Sequence, residues 1–255
     1  MLETSRTRRK SAAGPQRRPL TYRIFSTPLG RILIARSEEG VVLIEYLESG
    51  AGLAASRLGR APRVEAVEGG ADLEALRREL AEYLAGRRRG FDWPLDLRLV
   101  RSPFHRSVLE ATAAIPYGAV ATYAGIALRV GRESAPRAAA QALRWNPLPI
   151  LIPCHRVVGS TGSLTGYAGR RFDLKERLLA LEGIPLVTGS GIPAIRSRAM
   201  YVGDPDEQVY CLPTCPSLGA RRASRLTRFA SREAAEAAGR RPCATCKPEH
   251  HPLPG

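Results

Sequence analysis

Cys154, His155 and Arg156 stand side by side inside an otherwise apolar run that reads like a buried strand, "NPLPILIPCHRVVG", residues 146–159. A thiol becomes a strong nucleophile only as the thiolate, and an adjacent imidazole can take its proton directly or through a water. A carboxylate elsewhere in the chain can then orient the imidazole. Pro153 and the β-branched residues nearby restrict the backbone and hold such a thiol in place. Taken as a bare dipeptide, the pair has two plainer readings. One is a buried small hydrophobe beside a hydrogen-bonded core histidine. The other is part of a thiol hydrolase, although there the histidine ordinarily lies far from its cysteine.

Cys211 and Cys215 are separated by three residues, Cys243 and Cys246 by two, and 27 residues lie between the pairs. These are four soft ligands at spacings suited to tetrahedral zinc. Two disulfides are the alternative, which a reducing compartment disfavours.

That compartment is inferred from the rest of the chain. No apolar run approaches the roughly 20 residues of a membrane span, and the arginine-rich start lacks the apolar core of a secretory signal. A cytoplasmic, nucleoid-associated protein without a membrane partner is expected. Its 255 residues suffice for more than one domain. The net charge is +15, and only Lys10, Lys175 and Lys247 among the basic residues are lysines. Residues 1–19 carry a net +5, 20–95 carry 0, 96–190 carry +6 and 191–255 carry +4. The excess avoids the second segment, as it should if the others meet a polyanion.

The elements that must position the cysteines are read as α+β. Residues 1–19 form a disordered basic tail. Residues 20–95 form a scaffold domain: a small antiparallel sheet with a turn at Ser37 to Gly40, then a helix capped by Asp72 with Leu73, Leu76, Leu80, Tyr83 and Leu84 on one face. In residues 96–187, helical periodicity runs from about Phe104 to Ala114, from Tyr123 to Val130, and from a Ser134 cap to Trp145. Gly131 separates the last two, which suggests a winged or helix-turn-helix-like DNA-binding unit; close packing of an alanine-rich helix is the alternative. Residues 188–198 read as a linker and 199–250 as a separate cysteine module.

The runs "IPYGAVATYAGIA", "SAPRAAAQALRWNPLPILIPCHRVVG", "GYAG" and "LKERLLALEG" together resemble the O6-alkylguanine-DNA alkyltransferases, over roughly residues 20–186. The resemblance implies that Cys154 accepts the alkyl group, that His155 deprotonates it through a water, and that Glu182 holds the imidazole. It also implies that Asn146 braces the turn and that Tyr123 donates a hydrogen bond to the purine. Arg137 matches the finger that replaces a flipped base. Ala138 and Ala139 would lie close in the minor groove, and Arg132 and Arg144 would meet phosphates. The Val157 backbone, Tyr167 and Ala168 would line the guanine pocket; some relatives have serine at the last position, so a backbone N–H is what Ala168 offers. The implied partner is double-stranded DNA with alkylated bases, met by a monomer without a nucleotide cofactor. A stable thioether product makes each molecule react once.

The run "VYCLPTCPSL…TRFASREAAEAAGRRPCATCKP" resembles the metal-binding domain of the Ada adaptive-response protein. It implies zinc on Cys211, Cys215, Cys243 and Cys246, with Cys211 a possible second acceptor, of methyl groups from phosphotriesters. In Ada that module comes first and is followed by a regulatory region; here the order is reversed and no room remains for that region. Two rival readings are a non-catalytic lesion-binding protein, whose relatives lack the acceptor cysteine, and a zinc-dependent DNA-binding regulator.

Overall fold

The computed structural model describes residues 19–60, 64–100, 102–168, 171–187, 191–219 and 223–253. The basic tail expected at the N-terminus lies outside the described residues, apart from residue 19.

Strands β1 (Leu20–Thr27), β2 (Gly30–Arg36) and β3 (Val41–Leu47) form an antiparallel meander. Its second turn is closed between Ser37 and Gly40, as the sequence indicates. β2 reads as a continuous apolar run because both faces are covered, and Ile32, Leu33, Ile34 and Ala35 are all fully buried. One face joins the main core and the other a small core around Tyr22, Leu43 and Leu58. A short strand β4 (Ala66–Glu68) adds to β1 in parallel, so the sheet is mixed rather than purely antiparallel, in the order β3-β2-β1-β4.

Helix α1 (Ala71–Leu84) buries Leu73, Leu76, Leu80 and Tyr83 on its expected face. Asp72 is not its cap. The helix starts from Gly70 at φ 101°, while the Asp72 carboxylate in the first turn is drawn off to Arg36. Helix α2 (Pro103–Ala113) follows, with Ser102 accepting from the His105 N–H and Pro103 in the first turn.

Strand β5 (Ala119–Thr122) runs directly into helix α3 (Tyr123–Arg129), which Thr122 caps through the Gly125 N–H. Gly131, at φ 69°, turns the chain toward helix α4 (Pro136–Arg144). Ser134 is not the cap there either: Pro136 fixes the first turn, and no side chain caps Ala135. The apolar run 146–153 is a tight turn rather than a strand, with Ile150 at φ 77°. A 3-10 turn, Cys154–Arg156, leads into β6 (Val157–Val158), which pairs in parallel with β5. Helix α5 (Phe172–Leu181) ends beside Glu182.

The segment read as a linker is largely structured where it is described. β8 (Ala194–Ile195) pairs with β7 (Leu186–Val187), and Ile195 packs with Val120, Val158, Leu179 and Met200. Pairs of two-residue strands are too short to leave a period in the sequence. The C-terminal module holds β9 (Tyr201–Gly203), β10 (Val209–Tyr210), β11 (Thr227–Phe229), helix α6 (Arg232–Ala237) and β12 (Arg241–Pro242). It is not merely tethered. β11 inserts between β5 and β9, giving one four-stranded sheet in the order β6-β5-β11-β9.

Candidate active site and zinc centre

Cys154 opens the 3-10 turn and is 8 % exposed. Asn146 ties the two ends of the preceding turn together. Its side-chain nitrogen donates to the Ile152 carbonyl at 2.9 Å and to Cys154 Sγ at 3.2 Å, and its oxygen accepts from the Leu148 N–H at 2.9 Å. The left-handed Ile150 is strained for a β-branched residue, and this side-chain bracing holds it. Burial pushes the Cys154 thiol up, against the opposing pull of Asn146 and the Lys175 ammonium, so the thiol is held as a protonated reserve at neutral pH.

His155 is fully buried, and its Nε2 lies 2.9 Å from Glu182 Oε1. Glu182 also accepts from Arg156, at 2.8 Å to each oxygen, from the Tyr83 hydroxyl at 2.5 Å and from the Gly118 N–H at 3.3 Å. Burial alone would raise this carboxyl; His155 and Arg156 overcome it and hold the pKa down at about 2. Burial lowers the imidazole despite Glu182, leaving it neutral. An ionised Glu182 can only accept, so Nε2 carries the proton and Nδ1 keeps its lone pair. Nδ1 is buried and has no protein hydrogen-bond partner among the described residues. It is the atom left to receive a proton.

Cys154 lines a cavity of about 760 Å³ together with Tyr123, Thr165, Gly166, Tyr167 and Ala168 and one face of α4. The Tyr123 hydroxyl donates to the Thr165 carbonyl at 2.9 Å, and burial pushes its pKa up to about 12, so it stays a donor. The Tyr167 hydroxyl meets that of Tyr46 on β3 at 2.8 Å, joining the N-terminal sheet to the cavity wall. Ala168 sits at φ 39°. Val157, by contrast, is outside the lining. It is fully buried against β5, and its carbonyl accepts from Lys175 Nζ at 2.5 Å.

Arg137, Ala140, Gln141 and Arg144 share the face of α4 over this cavity, at successive turns. Arg132 and Ala138 are exposed beside it. Ala139 is not on that surface: it is 0 % exposed and packed in the core, because a residue two positions from Arg137 points the other way.

Sequence reasoning missed four side chains. Tyr83 reads as one more apolar position of α1. Tyr46 is hidden in a strand-like run. Lys175, fully buried with Nζ on the Val157 and Thr165 carbonyls, looks like a surface charge of α5. Arg156 stands next to the cysteine pair but gives no local sign of its partner 26 residues on.

The sulfurs of Cys211, Cys215, Cys243 and Cys246 all lie within 4.8 Å of one another, and Cys215 and Cys243 are 3.9 Å apart. A tetrahedral zinc thiolate site, with bonds of about 2.3 Å, has sulfur–sulfur edges near 3.8 Å. The cluster therefore fits zinc. The Leu212 N–H donates to Cys246 Sγ at 3.3 Å, and the Ser217 hydroxyl lies 2.9 Å from Cys215 Sγ, both suited to thiolate acceptors. Cys211 is 3 % exposed, held just after β10 by an isolated antiparallel bridge to Val202, whereas Cys246 is the more accessible ligand.

Three family profiles match the chain. They are the ribonuclease-like domain of 6-O-methylguanine DNA methyltransferase over residues 20–97, its DNA-binding domain over 103–184, and the metal binding domain of Ada over 196–249. A methylated-DNA–protein-cysteine methyltransferase from Methanosarcina acetivorans is 37 % identical over 166 residues, 64 % of this chain and 97 % of the relative. The constitutive Bacillus subtilis enzyme is 36 % identical over 168 residues, again 64 % of this chain and 95 % of its own. Among solved structures, the Mycobacterium tuberculosis O6-methylguanine methyltransferase is similar at a TM-score of 0.54 and 32 % identity, covering 64 % of this chain and 92 % of that one. The same organism's protein in complex with DNA matches at 0.53 and 33 %, with the same coverage. With the thiol, its buried base and the four-cysteine centre in these positions, and with nearly the whole of such relatives aligned, this chain belongs to the methylated-DNA–protein-cysteine methyltransferase family.

Proposed function

We propose that the protein repairs DNA by moving the alkyl group of an O6-alkylguanine onto its own Cys154. The reading is carried by one observation: a buried thiol, with a neutral imidazole beside it in the chain, lines the same cavity as an arginine-bearing helix.

The thiol is protonated at rest, so transfer begins with the Cys154 proton passing to His155 Nδ1, directly or through a water. Glu182, kept ionised by Arg156, stabilises the resulting imidazolium and fixes the ring. The thiolate, with Asn146 donating to it, attacks the alkyl carbon. The sulfur–carbon bond forms as the carbon–O6 bond breaks, and the electron pair goes to the purine, which ends with the proton the thiol lost. Tyr123 can exchange its Thr165 carbonyl for the purine as that charge develops. The product is a thioether that no residue of the site can cleave, so the protein acts once.

The alkyl carbon is out of reach inside a stacked duplex, so the base must leave the stack. Arg137 is placed to fill the gap, with Gln141 and Arg144 along the same face and Arg132 near the backbone. The bound duplex is thus read through shape and phosphate contacts. Residues 20–95 serve as scaffold, 96–187 as the alkyltransferase unit and 199–250 as the zinc module. Bound zinc keeps its four thiols deprotonated and folds the loop between them. Cys211, buried at the strand bridge, acts as a ligand rather than as a second methyl acceptor.

The test is peptide mass spectrometry after incubation with duplex DNA carrying one O6-methylguanine. A gain of one methyl confined to the Cys154 peptide is expected, with Cys154→Ala unmodified but still binding DNA. An active, reduced sample that binds the lesion and gains no methyl would overturn the reading in favour of lesion binding alone.

A further inference from the structure

We infer that the zinc module is a working part of the alkyl-transfer site, holding strand β5 in place from its far side. Both ends of β5 are clamped by residues of the module. Before the strand, the Gly118 carbonyl accepts from the Ala230 N–H at 2.8 Å, while the Gly118 N–H donates to Glu182 Oε2. Gly118 lies at φ 70°, and a Cβ there would stand 3.1 Å from the Ala234 methyl, so α6 packs directly on this backbone. At the other end, the Thr122 hydroxyl donates to the Ser224 carbonyl at 2.5 Å and accepts from the Gly125 N–H, capping the helix whose first residue is Tyr123. A Cβ on Gly125 would lie 3.0 Å from the same Ser224 carbonyl. Between the two clamps β11 is hydrogen-bonded to β5, and Arg129 of α3 donates to Thr227 at 2.6 Å.

Two groups of the reaction therefore depend on β5: Glu182, through the Gly118 amide, and Tyr123, through the Thr122 cap. The module shares Tyr201, Tyr210, Phe229 and Ala235 with the main core, while its cysteine end, which leads into β11, has a small core of its own. Cys211, Cys215 and Cys243 make up half of its six buried members, with Val202, Leu218 and Leu226. Such a core is too small to order its segment without the metal. Loss of zinc frees the segment from Ser224 to Leu226 that leads into β11, and so loosens the strand's hold on β5, at the Thr122 clamp first.

The inference rests on the alkyl-transfer reading. The experiment compares the zinc-loaded full chain with the same chain stripped by a chelator, following single-turnover methyl transfer from duplex O6-methylguanine DNA over a range of DNA concentrations. Stripping should lower the rate at saturating DNA by about ten- to a hundredfold, the scale of small misplacements of catalytic groups. Amide exchange should accelerate in residues 116–125 while β2 and β3 keep their protection. A saturating rate within twofold of the loaded protein, with only Kd changed, would reduce the module to a DNA-binding appendage and overturn the inference. If the loaded protein transfers no methyl at all, the alkyl-transfer reading fails instead. Should stripping unfold the whole chain, Thr227→Val decides, since it removes the Arg129 contact with zinc still bound. A lower saturating rate then supports the inference and an unchanged one overturns it.

Discussion

The Asn146 side-chain nitrogen lies 3.2 Å from the Cys154 sulfur, aimed there by a tight turn and not by a strand. The same nitrogen satisfies the Ile152 carbonyl, so one amide both shapes the turn and stabilises negative charge on sulfur. Asn146→Ala should slow methyl transfer by about ten- to a hundredfold and cost about 1–3 kcal/mol of stability through the buried carbonyl left unpaired. Single-turnover rates and urea denaturation measure the two effects separately.

Glu182 links the base to the fold. Its carboxyl sits at about 2 instead of 4.5, so the stability it contributes is present above pH 4.5 and is lost as pH falls toward 2. Glu182→Gln should remove that acid-side loss. It also strands a buried Arg156, at a cost of about 3–5 kcal/mol near neutrality. Denaturant midpoints measured from pH 7 down to 2.5 for both proteins test the sign: the wild type declines steeply in acid and the variant starts lower but declines less.

The face of α4 distinguishes residues that sequence proximity does not. Arg137→Ala should slow transfer from duplex DNA by roughly tenfold or more while leaving a single-stranded substrate, whose base needs no extrusion, nearly unaffected. Ala139→Leu should instead destabilise the fold by about 1–3 kcal/mol, since it overfills a closed core. Ala138→Leu should leave thermal stability unchanged, which a melting curve reads directly.

Four converging thiols imply one zinc per chain, and metal analysis should return that ratio, falling on Cys215→Ser. Incubation with DNA bearing methylphosphotriesters should leave the Cys211 peptide unmodified, because that sulfur is shielded at the strand bridge. A methylated Cys211 peptide would make it a second acceptor.

Much of this was legible in the residues. The strand-like runs on either side of the Ser37 to Gly40 turn marked the N-terminal sheet, though not the break after Thr27 that divides the first run into β1 and β2; the 3.6-residue period revealed α1 and the helices around Gly131, and the cysteine spacings indicated the metal centre. Side chains that act through distant partners were not legible. Tyr83 and Glu182 meet across 99 positions, and nothing near either announces the other. Both cap assignments failed for a local reason: Asp72 had a competing arginine, and Pro136 set the helix start by itself. The apolar run before Cys154 suggested a strand because composition does not register a left-handed Ile150. The supposed linker failed because two-residue strands carry no pattern.

The sheet that crosses from β5 to β11 also bears on how the chain reaches its native state. Thr122 and Ser224 are 102 positions apart, so β5 waits for its neighbour until the C-terminal module has been synthesised. Until then one edge of the strand presents unpaired backbone groups, a template for the edge of another copy. A version of the protein ending after α5 keeps the thiol, its base and the α4 face, yet exposes that edge permanently. Its weakness should appear as poor yield and clumping at high concentration, and the 255-residue chain avoids this by supplying its own β11.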